Sequence, residues 1–459
     1  MSNLIKQIVA ATFCMIAFNT VSGQKIMTLE DCRRQAVEYN KELKKADYQI
    51  QEAVSNQKTA RTAYLPSVSA KSSIMYMPDM ENISMPGSFL KTAVSAEAAQ
   101  NGEFSGISDV WSPGINLPLE NLSVFTGQVS VTQPIYVGGK INYSNKQADA
   151  GIDIFKYNYN IKYAEIIEQT DKSYWNLVSI SSNTKLLEKY IEMLTELEDK
   201  MNDMYNIGIT PLSEKLKVTV QKNEAELNLL KARNGLKVSK MYLNHILGQD
   251  LNLDIQVVNT LDENADILNN TDRDGSVLNR NELKILSKQL EISEYDKKIV
   301  QSEYLPQIGV SASYSTYYVK NILENVSFHP NIAGQISIPI IYWGQAKHKK
   351  DAARMKIKQA EIEFDNTSDL LNLEVQQVKV KIQETYEAII IAKKNLTEAT
   401  VSLDETKASF EAGLNTISEL LNSQASWQSA NAQLIGVLAQ YQLLQTTWLR
   451  VSSNLNPTE

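Results

Sequence analysis

The chain has 459 residues, a formal net charge of −8 and a pI near 5.3. No basic stretch interrupts the acidic balance, which argues against a nucleic-acid partner. Apolar residues make up 43% of the chain, too few for a polytopic helical membrane protein, and no nucleophile–base set, zinc motif or phosphate loop appears, so neither an enzyme nor a cofactor is expected.

The first 23 residues read as a secretory signal: Lys6 supplies the positive charge, Ile8 to Phe18 the apolar centre, and Val21-Ser22-Gly23 the small-residue cleavage site. The apolar run is short for a retained membrane anchor. A lipid anchor would use Cys14, but Phe13 stands where such signals want a small residue. Without the signal, Cys32 is the only cysteine, so no intrachain disulfide is expected.

Residues 24–248 form a first unit. Thr28 to Ala63 reads as a helix with Thr28 as N-cap and Glu30 and Asp31 in its first turn, stopped by Tyr64-Leu65-Pro66. Two strands follow, about 67–77 and 122–135, where apolar and polar residues alternate. The segment between them, punctuated by Pro78, Pro86, Gly87, Pro113, Gly114 and Pro118, reads as a long irregular surface loop. Met75, Met77, Met80 and Met85 fall in or beside it; thioethers suit copper(I), but packing is the simpler reading and no metal site is expected.

Gly138-Gly139 turns the chain into a long helix, 140–206. Gly139 and Gly208 are 69 positions apart, with no proline and only Gly151 between them. At about 1.5 Å per residue such a helix is roughly 100 Å long. Leu187, Tyr190, Leu194, Leu197, Met201 and Met204 alternate at spacings of 3 and 4, a coiled-coil seam. A tip, 207–211, follows, with Thr210 as expected N-cap and Pro211 at the first position of a helix over 212–247. Residues 249–275 are an acidic, Asn-rich linker.

The plan then repeats over 276–459. Tyr304-Leu305-Pro306 echoes Tyr64-Leu65-Pro66 at an offset of 240, while Pro339, Gly344 and Gly413 echo Pro134, Gly139 and Gly208 at 205. The second copy has a helix, strands at about 307–319 and 331–341, a long helix 345–411, a tip 412–416 and a helix 417–453. It lacks 35 residues, all between its two strands. Ile389, Ala392, Leu396, Ala399, Leu403, Thr406 and Phe410 repeat the seam, and Trp427, Leu434, Tyr441 and Trp448 recur every seven. Several landmarks with fixed spacing identify an internal repeat.

Two units give four strands, each long enough to cross a bilayer when tilted. An open sheet cannot sit in lipid, and four strands cannot close a barrel, since small barrels need about eight. The strands must therefore be pooled with those of other copies. A soluble four-stranded sheet with helices on one face would leave the long helices and the signal unexplained. The expected fold class is α+β: a long α-helical coiled-coil tunnel plus a transmembrane β-barrel completed by trimerisation.

The Tyr-Leu-Pro helix ends, the turns Tyr136-Val137-Gly138-Gly139 and Tyr342-Trp343-Gly344, and the tips Tyr205 to Thr210 and Phe410 to Asn415 resemble those of TolC-type outer-membrane efflux factors over essentially the whole mature length. The resemblance implies a homotrimer in the bacterial outer membrane, in contact with its lipid, with a helical tunnel in the periplasm. It implies the exit duct of a tripartite efflux system for small molecules, working with a periplasmic adaptor (membrane fusion) protein and an inner-membrane pump. It places adaptor docking at Gly208, Ile209 and Thr210 and at Gly413, Leu414 and Asn415. It also places a periplasmic gate at Glu214 and Glu419, each six residues after its tip glycine. Glu419 can equally complete a capping box with Thr416. The sequence departs from relatives at Phe410, where they carry a gate-locking tyrosine, and at Asn415 and Asn422, where they can carry an arginine and a second carboxylate. The exit duct of a type I protein secretion system is the alternative within the same architecture. A trimeric surface scaffold or adhesin using the long first hairpin loop is an alternative of another class.

Overall fold

The computed structural model describes residues 25–78, 122–258, 277–319 and 323–453, the short stretches 83–85, 88–90, 110–112 and 115–117, and positions 261 and 455. The expected signal segment, Met80 and most of the 249–275 linker lie outside the described residues.

In chain order the elements are β1 (Lys25–Met27), α1 (Leu29–Tyr39), α2 (Lys41–Thr62), β2 (Ser67–Met77), β3 (Ile83–Met85), β4 (Ser88–Leu90), β5 (Val110–Ser112), β6 (Ile115–Leu117), β7 (Leu122–Val137), α3 (Lys140–Asn206), α4 (Leu212–Ile246), β8 (Ile255–Val257), α5 (Asn281–Ser302), β9 (Gln307–Val319), β10 (Leu323–Ser337), α6 (Gln345–Glu411) and α7 (Ile417–Val451). They fall into two compact units that cut across the repeats: residues 49–155 with 285–364, and residues 1–48 with 156–284 and 365–459. The long helices α3 and α6 contribute to both. Among the described residues no helix is long and apolar enough to cross a membrane.

The first of these units holds a four-stranded antiparallel sheet in the order β10-β9-β7-β2. Within it Ser67 lies opposite Thr132 and, 240 and 205 residues on, Gln307 lies opposite Ser337, so the two hairpins share one register. Residues directly opposed across strands share a face. One face carries Ser69, Lys71 and Ser73 opposite Ser130, Gln128 and Thr126, with hydroxyl contacts Ser69–Ser130 at 3.0 Å and Ser73–Thr126 at 2.9 Å. The other carries Val68, Ala70 and Ile74 opposite Val131, Val129 and Phe125, and continues through Tyr314 and Phe328, whose rings stack at 5.3 Å. No described side chain on that apolar face is charged.

Three expectations for the strands are corrected. The last strand runs over Leu323–Ser337 rather than 331–341. Its Pro330 lies opposite Tyr314 on an edge strand, where proline is tolerated. The segment after β2 is not irregular throughout: β3 pairs with β6 and β4 with β5, extending the β2–β7 hairpin. Met75 and Met77 therefore belong to strand β2, not to a loop. Pro134, in a central strand, sits at a bulge between itself and Tyr136 in the β7–β9 ladder, a position that spares the ladder.

The other unit is helical. The expected single helix from Thr28 is two, α1 and α2, because Asn40 takes an extended ψ of 126° and caps α2 through its Oδ1. Thr28 does cap α1, with Asp31 completing a capping box. The linker contains β8, which pairs in parallel with β1 and encloses a core of Met27, Cys32, Leu177, Val178, Leu243 and Ile255. The Tyr174 hydroxyl donates to Val258 O at 3.0 Å, and burial pushes its pKa up to about 12.

Beside this core lies an ionic network that links segments far apart in sequence. Arg33 pairs with fully buried Asp171, which also accepts from Thr446. Arg280, 3% exposed, pairs with Glu282 and Glu374; Glu374 accepts from Arg450 at 2.8 Å, and Arg450 also faces Glu168. Burial works to raise the Glu374 pKa, but hydrogen bonds from Arg280 and Arg450 outweigh it and hold the carboxyl below its usual range. The network ties α3, α6 and α7 to the start of α5.

Two outcomes follow for purified protein in a denaturant melt. Arg280→Ala removes the buried guanidinium from Glu282 and Glu374; because both acids are 32% exposed and Glu374 keeps Arg450, the loss falls below the ~3–5 kcal/mol of a stranded buried charge. Gly138, at φ +65°, has Ser302 O only 2.6 Å from where a Cβ would stand, so Gly138→Ala destabilises by at least about 1 kcal/mol.

Candidate functional site

The two tips are built alike. In each, a long helix ends on a glycine with positive φ, +81° at Gly208 and +75° at Gly413, a conformation that L side chains resist. Ile209 N–H donates to Met204 O at 2.9 Å and Gly208 N–H to Tyr205 O at 3.0 Å; Leu414 N–H donates to Ser409 O at 2.9 Å and Gly413 N–H to Phe410 O at 3.0 Å. These bonds use the last orphan carbonyls of the helix and turn the chain in five residues. Ile207, Ile209 and Leu414 project at 69%, 66% and 80% exposure, so each turn presents apolar side chains that nothing in its own chain covers.

Below the tips the seam residues meet. Tyr190, Leu194, Leu197 and Met201 of α3 pack with Val218 and Ala225 of α4, Leu403 of α6, and Ile417, Leu420 and Leu421 of α7. Phe410 packs against the same cluster, so at this position the ring contributes apolar contact where a tyrosine would add a hydroxyl. Lys200 reaches Glu411 at 2.8 Å and ties α3 to α6; that hydrogen bond lowers the Glu411 pKa. A cavity of about 380 Å³ lies here, walled by Leu197, Phe410 and Leu420 and rimmed by Lys200, Asp203 and Glu411. Gln424 also lines it, and its buried Oε1 has no hydrogen-bond partner among the described residues.

The two tip carboxylates are held differently. Glu214 accepts from Lys217 at 2.9 Å, and the same ammonium donates to Ser418 Oγ at 3.1 Å, linking α4 to α7. Glu419 completes the capping box of α7: it accepts from Thr416 N–H at 2.7 Å and Oγ1 at 3.0 Å, and its own N–H donates to Thr416 Oγ1 at 3.3 Å. The backbone hydrogen bond first, then the hydroxyl, holds the Glu419 carboxyl below its usual range. The first tip differs from expectation. Pro211, not Thr210, is the N-cap of α4, and it makes no side-chain capping bond. Asn415 is half-buried and Asn422 exposed on the second tip and the first turns of α7. The ion pairs of Lys217 and Lys200 are tip features that sequence reading missed; only the first has a local signal, the i,i+3 spacing to Glu214.

The sequence model for outer membrane efflux proteins matches residues 32–249 and 276–448. A search of curated protein sequences finds no match. Among solved structures, the Campylobacter jejuni CmeC outer membrane channel superposes with a TM-score of 0.74 at 17% identity, over 93% of this chain and 86% of that one. The Vibrio cholerae outer membrane protein VceC gives 0.72 at 14% identity, over 92% and 95%. The open state of the Neisseria gonorrhoeae MtrE outer membrane channel gives 0.68 at 13% identity, over 93% and 89%. These likenesses show the fold, in which the barrel is completed only when chains assemble, and the family match covers both repeats. The chain is a member of the outer membrane efflux protein family.

Proposed function

We propose that the chain is the outer-membrane exit duct of a tripartite efflux assembly, passing small molecules from a periplasmic adaptor and an inner-membrane pump to the outside. The observation that carries this reading is the four-stranded sheet with one apolar face and two unpaired edges. Such a sheet is viable in hydrocarbon only if other copies supply the missing strands. Three copies give twelve strands, with the apolar face toward lipid and the hydroxyl-bearing face toward the pore.

The adaptor docks on the tips, at Gly208, Ile209 and Thr210 and at Gly413, Leu414 and Asn415. Exposed apolar residues on a tight turn suit a partner that caps the end of a helical bundle. Glu214, Glu419, Phe410 and Asn422 form the periplasmic gate. Since Lys217 partly neutralises Glu214, the closed gate rests on apolar packing around Phe410 as well as on charge.

Photocrosslinking in cells from Thr210 and from Asn415 tests the docking. Capture of the adaptor of a small-molecule pump is expected at both positions. Capture of the adaptor of an ATP-driven protein exporter would transfer the chain to protein secretion, and an intact assembly with no partner at either tip would remove docking from the tips.

In planar-bilayer recordings, Glu214→Ala combined with Glu419→Ala lowers cation selectivity; unchanged selectivity and conductance would take both carboxylates out of the gate. The cap is pH-dependent with a definite sign. Because the folded Glu419 pKa is lowered, its contribution is fully present above the unfolded carboxylate value of about 4.3 and is lost as pH falls through the folded value. The protection factor of the amides in the first turn of α7, taken relative to intrinsic exchange at each pH, therefore falls on acidification, and Thr416→Ala lowers it in the same way at neutral pH.

A further inference from the structure

The cavity beneath the tips combines three features that the packing of the helices does not require. It lies within one compact unit, between α3 on one side and α6 and α7 on the other. Its floor is apolar. Leu197 and Leu420 are 6% and 2% exposed, and Met193 and the Phe410 ring pack on the same cluster. At about 380 Å³ it is of a size that small organic ligands occupy.

The rim is charged, and unequally so. Glu196, Lys200 and Asp203 stand on one stripe of α3, at spacings of four and three, and Lys407 and Glu411 face them from α6. Lys200 pairs with Glu411 at 2.8 Å, and Lys407 acts on that same carboxylate. Glu411 thus draws on both ammonium groups. The Glu196 and Asp203 carboxylates, both exposed, make no ion pair of their own among the described residues.

The third feature is Gln424. It is 4% exposed, it lines the cavity, and its Oε1 has no hydrogen-bond partner. A buried acceptor left unmet is costly, and native interiors rarely keep one. The cavity is the open space from which a donor can come. The last torsion of a glutamine is soft, so Oε1 turns to meet a donor there.

We infer that the cavity binds a small arylalkylammonium whose ring carries an N–H donor. The flat ring lies on Leu197, Leu420 and Phe410, and the ring N–H donates to Gln424 Oε1. The ammonium stands at the rim with the two uncompensated carboxylates, Glu196 and Asp203. Each part of the site selects one part of the ligand. The floor alone would take any aromatic body, and the rim alone any cation. An anion of the same shape meets like charge and is rejected. The site is complete within one chain, so it does not depend on what the assembled protein transports.

Tryptamine is the probe, because it has the ring, the N–H and the charge. Calorimetric titration of the assembled protein in lipid nanodiscs, with empty nanodiscs subtracted, is expected to show one saturable site per chain, weakened by salt. Indole-3-propionate, an anion on the same ring, should bind at least about tenfold more weakly. 1-Methyltryptamine, which lacks the ring N–H, should bind about fivefold more weakly, the worth of one ordinary hydrogen bond. Gln424→Met keeps the shape and removes the unmet acceptor. It is expected to hold or raise the thermal midpoint while abolishing the difference between tryptamine and its 1-methyl form. Asp203→Asn with Glu196→Gln, both on the exposed rim, removes the preference for cation over anion. Saturable binding that none of these substitutions alters puts tryptamine elsewhere and overturns the site. No saturable binding to a folded, assembled protein overturns it too: the Gln424 amide is then met by water or by a neighbouring copy.

Discussion

The constraint on which this structure depends is that a peptide group in hydrocarbon must find its hydrogen-bond partner within protein. A four-stranded sheet satisfies its interior strands and leaves β2 and β10 each with a bare side. Its edges are only lightly protected against pairing: β2 carries Lys71 and β10 carries Pro330, and no described side chain on the apolar face is charged. In water that would be an aggregation hazard. In a family whose members are outer membrane channels it is a joint left open for completion. The alternation of hydroxyl-bearing and apolar residues across the strands follows from the same constraint, since a pore wall has water on one side and lipid on the other.

The helical unit solves a different problem. Helices of 67 residues cannot be held by propensity and must bury a seam along their length. The seam near the tips is closed by leucine, methionine and aromatic side chains from four helices. Farther along the same helices, packing is supplemented by the Arg280–Glu374–Arg450 network and the Arg33–Asp171 pair. Buried ion pairs contribute little net stability compared with apolar packing, but they tolerate few alternative arrangements. Placed between helix segments, they fix which turn of one helix faces which turn of another, where an apolar seam alone would allow sliding by a heptad.

The fold class was legible in the sequence because its signals are local or periodic. Absence of proline and turn residues marks long helices, alternation marks strands, and repeated Tyr-Leu-Pro and Gly landmarks mark the duplication. What could not be read depends on neighbours. The bounds of β10 follow its pairing with β9, which runs from Leu323↔Val319 to Ser337↔Gln307. The break at Asn40 is made by that residue's own capping bonds, inside a stretch whose pattern is helical on both sides. The β1–β8 pairing joins residues 25–27 to 255–257, and such short runs carry no periodicity. At the candidate site, the tips were visible as Gly followed by a cap residue, and the Thr416–Glu419 box by its spacing. The Lys200–Glu411 tie joins residues 211 positions apart and leaves no trace in the linear pattern.

The first hairpin is longer than the second, yet the register of its base is the same. From Met77↔Leu122 to Ile83↔Leu117 the chain advances six residues on one strand and five on the other, and from Met85↔Ile115 to Ser88↔Ser112 three on each. The described part of the added length is thus two further short pairings, β3 with β6 and β4 with β5, whose spacing from the base is nearly matched on the two strands. A hairpin extended in this way behaves as a cassette. It can be lengthened, trimmed or resurfaced at its far end without moving a hydrogen bond at its base, so that end is free to diversify while the pore it stands on keeps its dimensions.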